Sequence, residues 1–105
     1  MTELTTDTFD KAILTTPTLS IIDFYATWCG PCKAVSPFLE QLDKTYKDLN
    51  VFKVDVDKNP ELAQRFKISS VPTFKFVESG KVTRTQVGVQ NPADLEGTVR
   101  SLLRI

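Results

Sequence analysis

The sequence has no histidine. No side chain therefore has an unperturbed pKa near neutrality, and acid–base work around pH 7 needs a group displaced from its ordinary range. The chain holds only two cysteines and one tryptophan in 105 residues. With no third cysteine and no histidine, a zinc site of about four ligands would require carboxylates or a second copy of the chain. Thirteen basic and thirteen acidic side chains cancel, so nothing draws the protein to nucleic acid or to an anionic membrane surface. No apolar run approaches membrane-spanning length. Met1-Thr2-Glu3-Leu4 also lacks the basic-then-apolar pattern of a secretory leader. The expectation is a soluble, cytoplasmic chain in a reducing setting, where a lone cysteine pair is more often catalytic than structural. The length and a hydrophobic content of 41% point to a single domain over residues 1–105 with one core.

What is present is concentrated in Trp28-Cys29-Gly30-Pro31-Cys32-Lys33, which holds the only tryptophan and both cysteines. Two thiols three residues apart close a small disulfide ring if the backbone between them turns into a helix, because one turn brings their Cα atoms within bonding range. Gly30 supplies backbone freedom, and Pro31 presets φ for a first helical turn where its missing N–H is not needed. Three plainer readings compete. A structural disulfide of so short a loop restrains little of the unfolded chain. Half a zinc site lacks ligands. Inert buried thiols fit poorly at a Gly-Pro turn. A redox-active disulfide, Cys29-Cys32, is the expectation.

The flanking pattern alternates strand and helix. A short strand is expected at Thr2 to Leu4, followed by a helix capped within Thr5-Thr6-Asp7 and carrying Phe9, Ala12 and Ile13. Leu19 to Tyr25 is a nearly continuous apolar run, as in a central strand buried on both faces. A helix from about Cys32 to Lys47 carries Val35, Phe38, Leu39, Leu42 and Tyr46 on one face, with Pro37 predicted to kink it. Val51 to Val56 reads as a strand with Phe52, Val54 and Val56 alternating against Lys53 and Asp55. Asn59-Pro60 caps a short helix with Leu62, Ala63 and Phe66. Thr73 to Val77 and Lys81 to Val87 form a hairpin about Ser79-Gly80. Asn91-Pro92 caps a last helix with Leu95, Val99, Leu102 and Leu103 inward. The order implies α/β layers around a mixed sheet, parallel first and antiparallel last.

The block Asp23-Phe24-Tyr25-Ala26-Thr27-Trp28-Cys29-Gly30-Pro31-Cys32-Lys33 resembles the thioredoxin family. Val71-Pro72-Thr73 lies where that family carries a cis-proline loop facing the dithiol, and Lys53, Asp57, Pro37, Gly80 and Gly88 fall at family positions over essentially the whole length. The resemblance implies a thioredoxin fold, a five-stranded mixed sheet flanked by four helices. It implies a general protein-disulfide reductase with no bound cofactor, acting on disulfide-containing substrate proteins. Reducing equivalents would come from NADPH through a flavin-dependent thioredoxin reductase. A monomer is expected. The rival from another class is a thioredoxin-like binding module that grips a partner without turnover.

Cys29, at the positive end of the helix, is the expected nucleophile. Cys32, one turn in and more enclosed, would resolve the mixed disulfide. Asp23 is the only charged residue in an apolar strand. It reads either as an acid with a surface partner or as a buried carboxyl with a raised pKa that takes the proton of Cys32 through water, in place of the missing histidine. Lys53 would tune it, or simply be exposed. Trp28 reads as a core aromatic or as substrate-contact surface, with Gly30 and Pro31 beside it. Val71 and Pro72 would present free backbone to an extended substrate segment. On family analogy, Val56, Val87, Gly88 and Val89 complete an apolar docking rim. Lys75, between Phe74 and Phe76, departs from the apolar residue many relatives carry there, and no function is attached to it.

Overall fold

The computed structural model describes residues 1–105. Its elements follow the expected order: β1 (Thr2–Glu3), α1 (Phe9–Leu14), β2 (Leu19–Tyr25), α2 (Gly30–Thr45), β3 (Leu49–Asp55), α3 (Pro60–Arg65), β4 (Thr73–Glu78), β5 (Lys81–Val87) and α4 (Pro92–Leu103). The five strands form one sheet in the order β1-β3-β2-β4-β5. β1, β3 and β2 run parallel, and β4 and β5 add antiparallel. This is the five-stranded mixed sheet with four helices that the resemblance implies.

The sheet splits the apolar interior in two. Leu19 and Ile21 of β2 pack with Leu39 and Leu42 of α2 and with Leu95 and Val99 of α4. Ile22 and Phe24, pointing the other way along the same strand, pack with Phe9 and Ile13 of α1 and Leu62 of α3. Strand alternation sorts the side chains this way, and burial on both faces is why β2 reads as an unbroken apolar run. By the same alternation Asp23 and Tyr25 continue the row of Leu19 and Ile21, toward α2.

Several local expectations change. α2 begins at Gly30, two residues earlier than expected, because Pro31 belongs inside the first turn and Cys29 is the N-cap. As expected, the helix runs through Pro37, which lies on its exposed side, and it ends at Thr45 rather than Lys47. β3 begins at Leu49 and ends at Asp55, and it is not half-exposed: Val51 and Asp55 are buried together with Phe52 and Val54. Val51 packs with residues of α2 and α4 on one face, and Phe52 and Val54 with residues of α1 and α3 on the other, so both faces are covered. The N-cap position of α1 is Thr8 rather than a residue within Thr5-Thr6-Asp7, and its hydroxyl caps no helix N–H but accepts the Thr5 N–H at 2.9 Å. Asn59 occupies the N-cap position of α3, but its side chain works elsewhere. It donates to the Asp55 carbonyl at 3.0 Å and accepts from the Thr6 N–H at 2.9 Å, tying the β3–α3 turn to the start of α1. Asn91 does cap α4, accepting from the Ala93 N–H at 2.8 Å. Lys75 snorkels out to donate to the Thr85 hydroxyl at 3.1 Å, leaving Phe74 and Phe76 buried on the opposite face.

Candidate active site

The parallel and antiparallel halves of the sheet meet at β2. Its C-terminal end therefore faces the C-terminal end of β3 on one side and the N-terminal end of β4 on the other. Cys29 and Cys32 lie just beyond, joined as a disulfide with their Cα atoms 5.3 Å apart. Cys29 is extended, with φ −89° and ψ 110°, and its sulfur accepts the backbone N–H of Cys32 at 3.2 Å. A sulfur in this position meets one of the unpaired donors of a helix start as well as the positive end of the helix dipole, both of which favour a thiolate. Gly30 has no positive φ, and a side chain there would meet nothing within 4 Å. Its contribution is therefore a bare surface beside the sulfurs rather than an unusual backbone.

Both cysteines are buried, Cys29 at 4% and Cys32 at 3% exposure, against the expectation that a Gly-Pro turn is a poor place to bury both; Cys32 is the more enclosed by a narrow margin. Ala26 closes over the pair, with Tyr25, Val56 and Val71 packed around it. The two sulfurs thus differ in what they face rather than in exposure. Trp28 stands outside this cluster at 71% exposure, and its Nε1 donates to Asp57 Oδ2 at 2.9 Å. Asp57 is itself held by a turn that folds about Asp55, whose Oδ1 accepts the N–H groups of Asp57 at 2.9 Å and Lys58 at 3.2 Å.

On the α2 side of the sheet a cavity of about 300 Å³ runs past Cys32, with Asp23, Tyr25, Lys33, Ser36 and Lys53 in its wall. Asp23 is 3% exposed, and its Oδ1 has no hydrogen-bond partner. Burial pushes its carboxyl up from 3.8 to about 7, the Lys53 ammonium pulling part of the way back. The chain thus carries a group that titrates near neutrality although it has no histidine. Lys53 is the ladder partner of Asp23 on β3. Its side chain is partly exposed and lies over the Tyr25 ring, 5.5 Å from the centroid.

Opposite the dithiol, the Val71–Pro72 peptide is cis. Pro72 is buried and Val71 half-buried, and neither the N–H nor the C=O of Val71 takes part in the backbone hydrogen bonding. The Pro72 carbonyl accepts the N–H of Gly88 at 2.8 Å, and Gly88 has φ +86°, a conformation that favours glycine. Val87 and Val89 are exposed on either side, and Val56 is half-buried. A shallow groove of about 190 Å³ joins Pro31, Phe38, Pro72 and Val89. The fold brings all the anticipated site residues to one end of the sheet, with Val87 and Val89 at the margin.

Sequence reasoning missed Asp55, Tyr25 and Glu3 as parts of this region. Tyr25 was within reach, since it follows Asp23 by two positions on one strand and must share its face. Asp55 escapes a local reading because its alternation with Val54 and Val56 is the pattern of a half-exposed strand. Glu3 joins the region only through the pairing of β1 with β3, which no local pattern discloses.

Residues 1–101 match the thioredoxin family profile. Among individual relatives, the chain is 39% identical over 93 residues to thioredoxin-2 of Saccharomyces cerevisiae, an alignment covering 89% of this chain and 88% of that one. It is 42% identical over 85 residues to thioredoxin 1 of Plasmodium falciparum, covering 81% of each. A bifunctional thioredoxin reductase/thioredoxin of Mycobacterium leprae is 39% identical over 94 residues, spanning 89% of this chain and 20% of that protein. A solved structure of Plasmodium falciparum thioredoxin superposes with a TM-score of 0.89 at 37% identity, over 96% of this chain and 98% of the other. Sequence, fold and a closed cysteine pair at the head of α2 agree, and the chain belongs to the thioredoxin family, as a protein-disulfide reductase.

Proposed function

We propose that the two cysteines divide the reaction, with Cys29 attacking and Cys32 resolving. In the reduced protein the Cys29 thiolate attacks one sulfur of a substrate disulfide. The substrate S–S bond breaks, the departing thiolate takes a proton from solvent, and Cys29 is left in a mixed disulfide. Asp23 then accepts the Cys32 proton, through water in the cavity between them. The Cys32 thiolate attacks Cys29 Sγ, the mixed disulfide breaks, and the second substrate sulfur leaves as a thiolate that takes a proton from solvent, so that two electrons have passed to the substrate. Lys53 adjusts the readiness of Asp23 to hold that proton. The observation that carries this division is the difference in what the sulfurs face: Cys29 caps the helix and accepts its N–H, whereas Cys32 lines the cavity that holds Asp23.

The substrate docks on Trp28, Gly30 and Pro31, and an extended segment pairs with the open backbone of Val71 beside Pro72, with Val56, Val87, Gly88 and Val89 as the apolar rim. The disulfide is reopened by a thioredoxin reductase that draws electrons from NADPH through a flavin. The Mycobacterium leprae relative, which unites a reductase and a thioredoxin in one chain, supports that pairing. The reaction belongs in a reducing compartment, the cytoplasm. No helix is long and apolar enough to cross a membrane.

The test is reduction of insulin disulfides with dithiothreitol as the electron source. Cys29→Ser should lose the activity outright. Cys32→Ser should accumulate mixed disulfides through Cys29 that dithiothreitol dissolves. Trapping by Cys29→Ser in place of Cys32→Ser would reverse the assignment.

A further inference from the structure

Asp23, Lys53 and Glu3 form a row across three neighbouring strands, since Lys53 is the ladder partner of Asp23 on β2 and of Glu3 on β1. A lysine placed between two carboxylates on one face has a choice. The inner acid is buried and has an oxygen without a partner, yet Lys53 makes no ion pair with it within 4.0 Å. It leans outward instead, 4.0 Å from Glu3 Oε1 and over the Tyr25 ring at 5.5 Å. The Tyr25 hydroxyl donates to the other oxygen of Glu3 and so fixes that carboxylate on the rim.

We propose that Glu3 is a positioning residue for the disulfide exchange: anchored by Tyr25, it holds the Lys53 ammonium at the outer end of the cavity, away from the Asp23 carboxyl that faces Cys32. Burial, then the bond to Glu3, pushes the Tyr25 phenol above its ordinary range, so the anchor keeps its proton at working pH. The outward position also leaves the ammonium partly hydrated, where a move inward would strip it of water. Without the hold, Lys53 is drawn to the unpartnered Asp23 oxygen. The carboxylate form then gains a close cation and gives up its proton at lower pH. The remaining titratable groups around Asp23 are Cys32 and Lys33 from α2 and Tyr25 from its own strand, while its partner on β4 is the uncharged Phe74.

This inference rests on Asp23 being the proton acceptor, but it is tested without turnover. In the oxidised protein Cys32 has no proton to lose, so carboxyl NMR follows Asp23 through an uncoupled titration. Glu3→Gln should lower the Asp23 midpoint by roughly 0.2–0.7 pH unit, the size of a partly exposed pair coupling. Lys53→Met should raise it. In a Lys53→Met background, Glu3→Gln should move the midpoint by less than half as much, because the ammonium it steers is gone. An unmoved midpoint in Glu3→Gln, or an equal shift with and without Lys53, overturns the proposal. A merely structural role for Glu3 would alter stability and leave the midpoint in place. If Asp23→Ala retains full turnover, the acceptor role fails, and the titrations still decide whether Glu3 steers Lys53.

Discussion

Asp23 and Asp55 are buried aspartates in neighbouring strands, and they meet different company. Asp55 ends β3 where the chain turns, and one of its oxygens collects two backbone N–H groups from the residues that follow. Asp23 sits in the middle of β2, where every backbone donor nearby belongs to the sheet, and one of its oxygens is left without a partner. Equal burial therefore has unequal chemical results. Donors compensate the first carboxylate for lost water, whereas the second is pushed up to about 7. One acid holds a turn in shape, and through Asp57 it holds Trp28. The other, in the proposed reaction, stores and releases a proton. Burial alone does not decide how a carboxyl behaves; the donors around it do.

Substitution should pull the two apart. Asp55→Ala removes the acceptor of two part-buried N–H groups and should lower stability by about 1–3 kcal/mol, read from denaturant melts at neutral pH. A loss below about 1 kcal/mol would mean that the turn does not depend on its carboxylate. Asp23→Ala should go the other way. Because the folded pKa is raised, the native state binds the proton more tightly, and stability is complete below 3.8, falls as pH climbs to about 7, and then levels off. That shift corresponds to roughly 3–5 kcal/mol lost by the parent at pH 9, against on the order of 1–2 kcal/mol for the cavity alanine leaves. The variant should be the more stable protein at pH 9 and the less stable one near pH 4, while resolution of the mixed disulfide slows on the order of 100-fold. A variant weaker than its parent at both pH values would make Asp23 a second Asp55. The smallest effect belongs to Asp57→Ala, which should shift Trp28 emission and change stability by less than about 1 kcal/mol, the bond being exposed. An unchanged spectrum would show that the turn does not set the indole.

The same contrast explains what the sequence disclosed. Asp23 was legible because an acid inside Leu19–Tyr25 interrupts an otherwise apolar run, and the missing histidine left its role open. Cys29 and Cys32 were legible from spacing, and the helix start from Pro31. The burial of Asp55 was not legible, because Lys53 and Asp55 alternate with apolar residues as an open face would, and helices from elsewhere in the chain cover both faces of β3. The burial of both sulfurs likewise depends on Val56 and Val71, which arrive from distant parts of the chain. Asn59 carried the signature of a cap, yet its side chain is taken by Thr6, 53 residues earlier in sequence. Local chemistry was readable where one segment decides it, and not where two segments meet.

The meeting of parallel and antiparallel strands at β2 has a consequence for how such a protein diversifies. The sulfur pair and its acid are carried by one continuous stretch, β2 into α2. The surfaces around them come from three other places: the turn after β3, the segment before β4 and the end of β5. Mutation in those three borders can alter which proteins are welcomed while leaving the electron-carrying stretch untouched. A lineage built on this plan is free to change its clientele without relearning its chemistry.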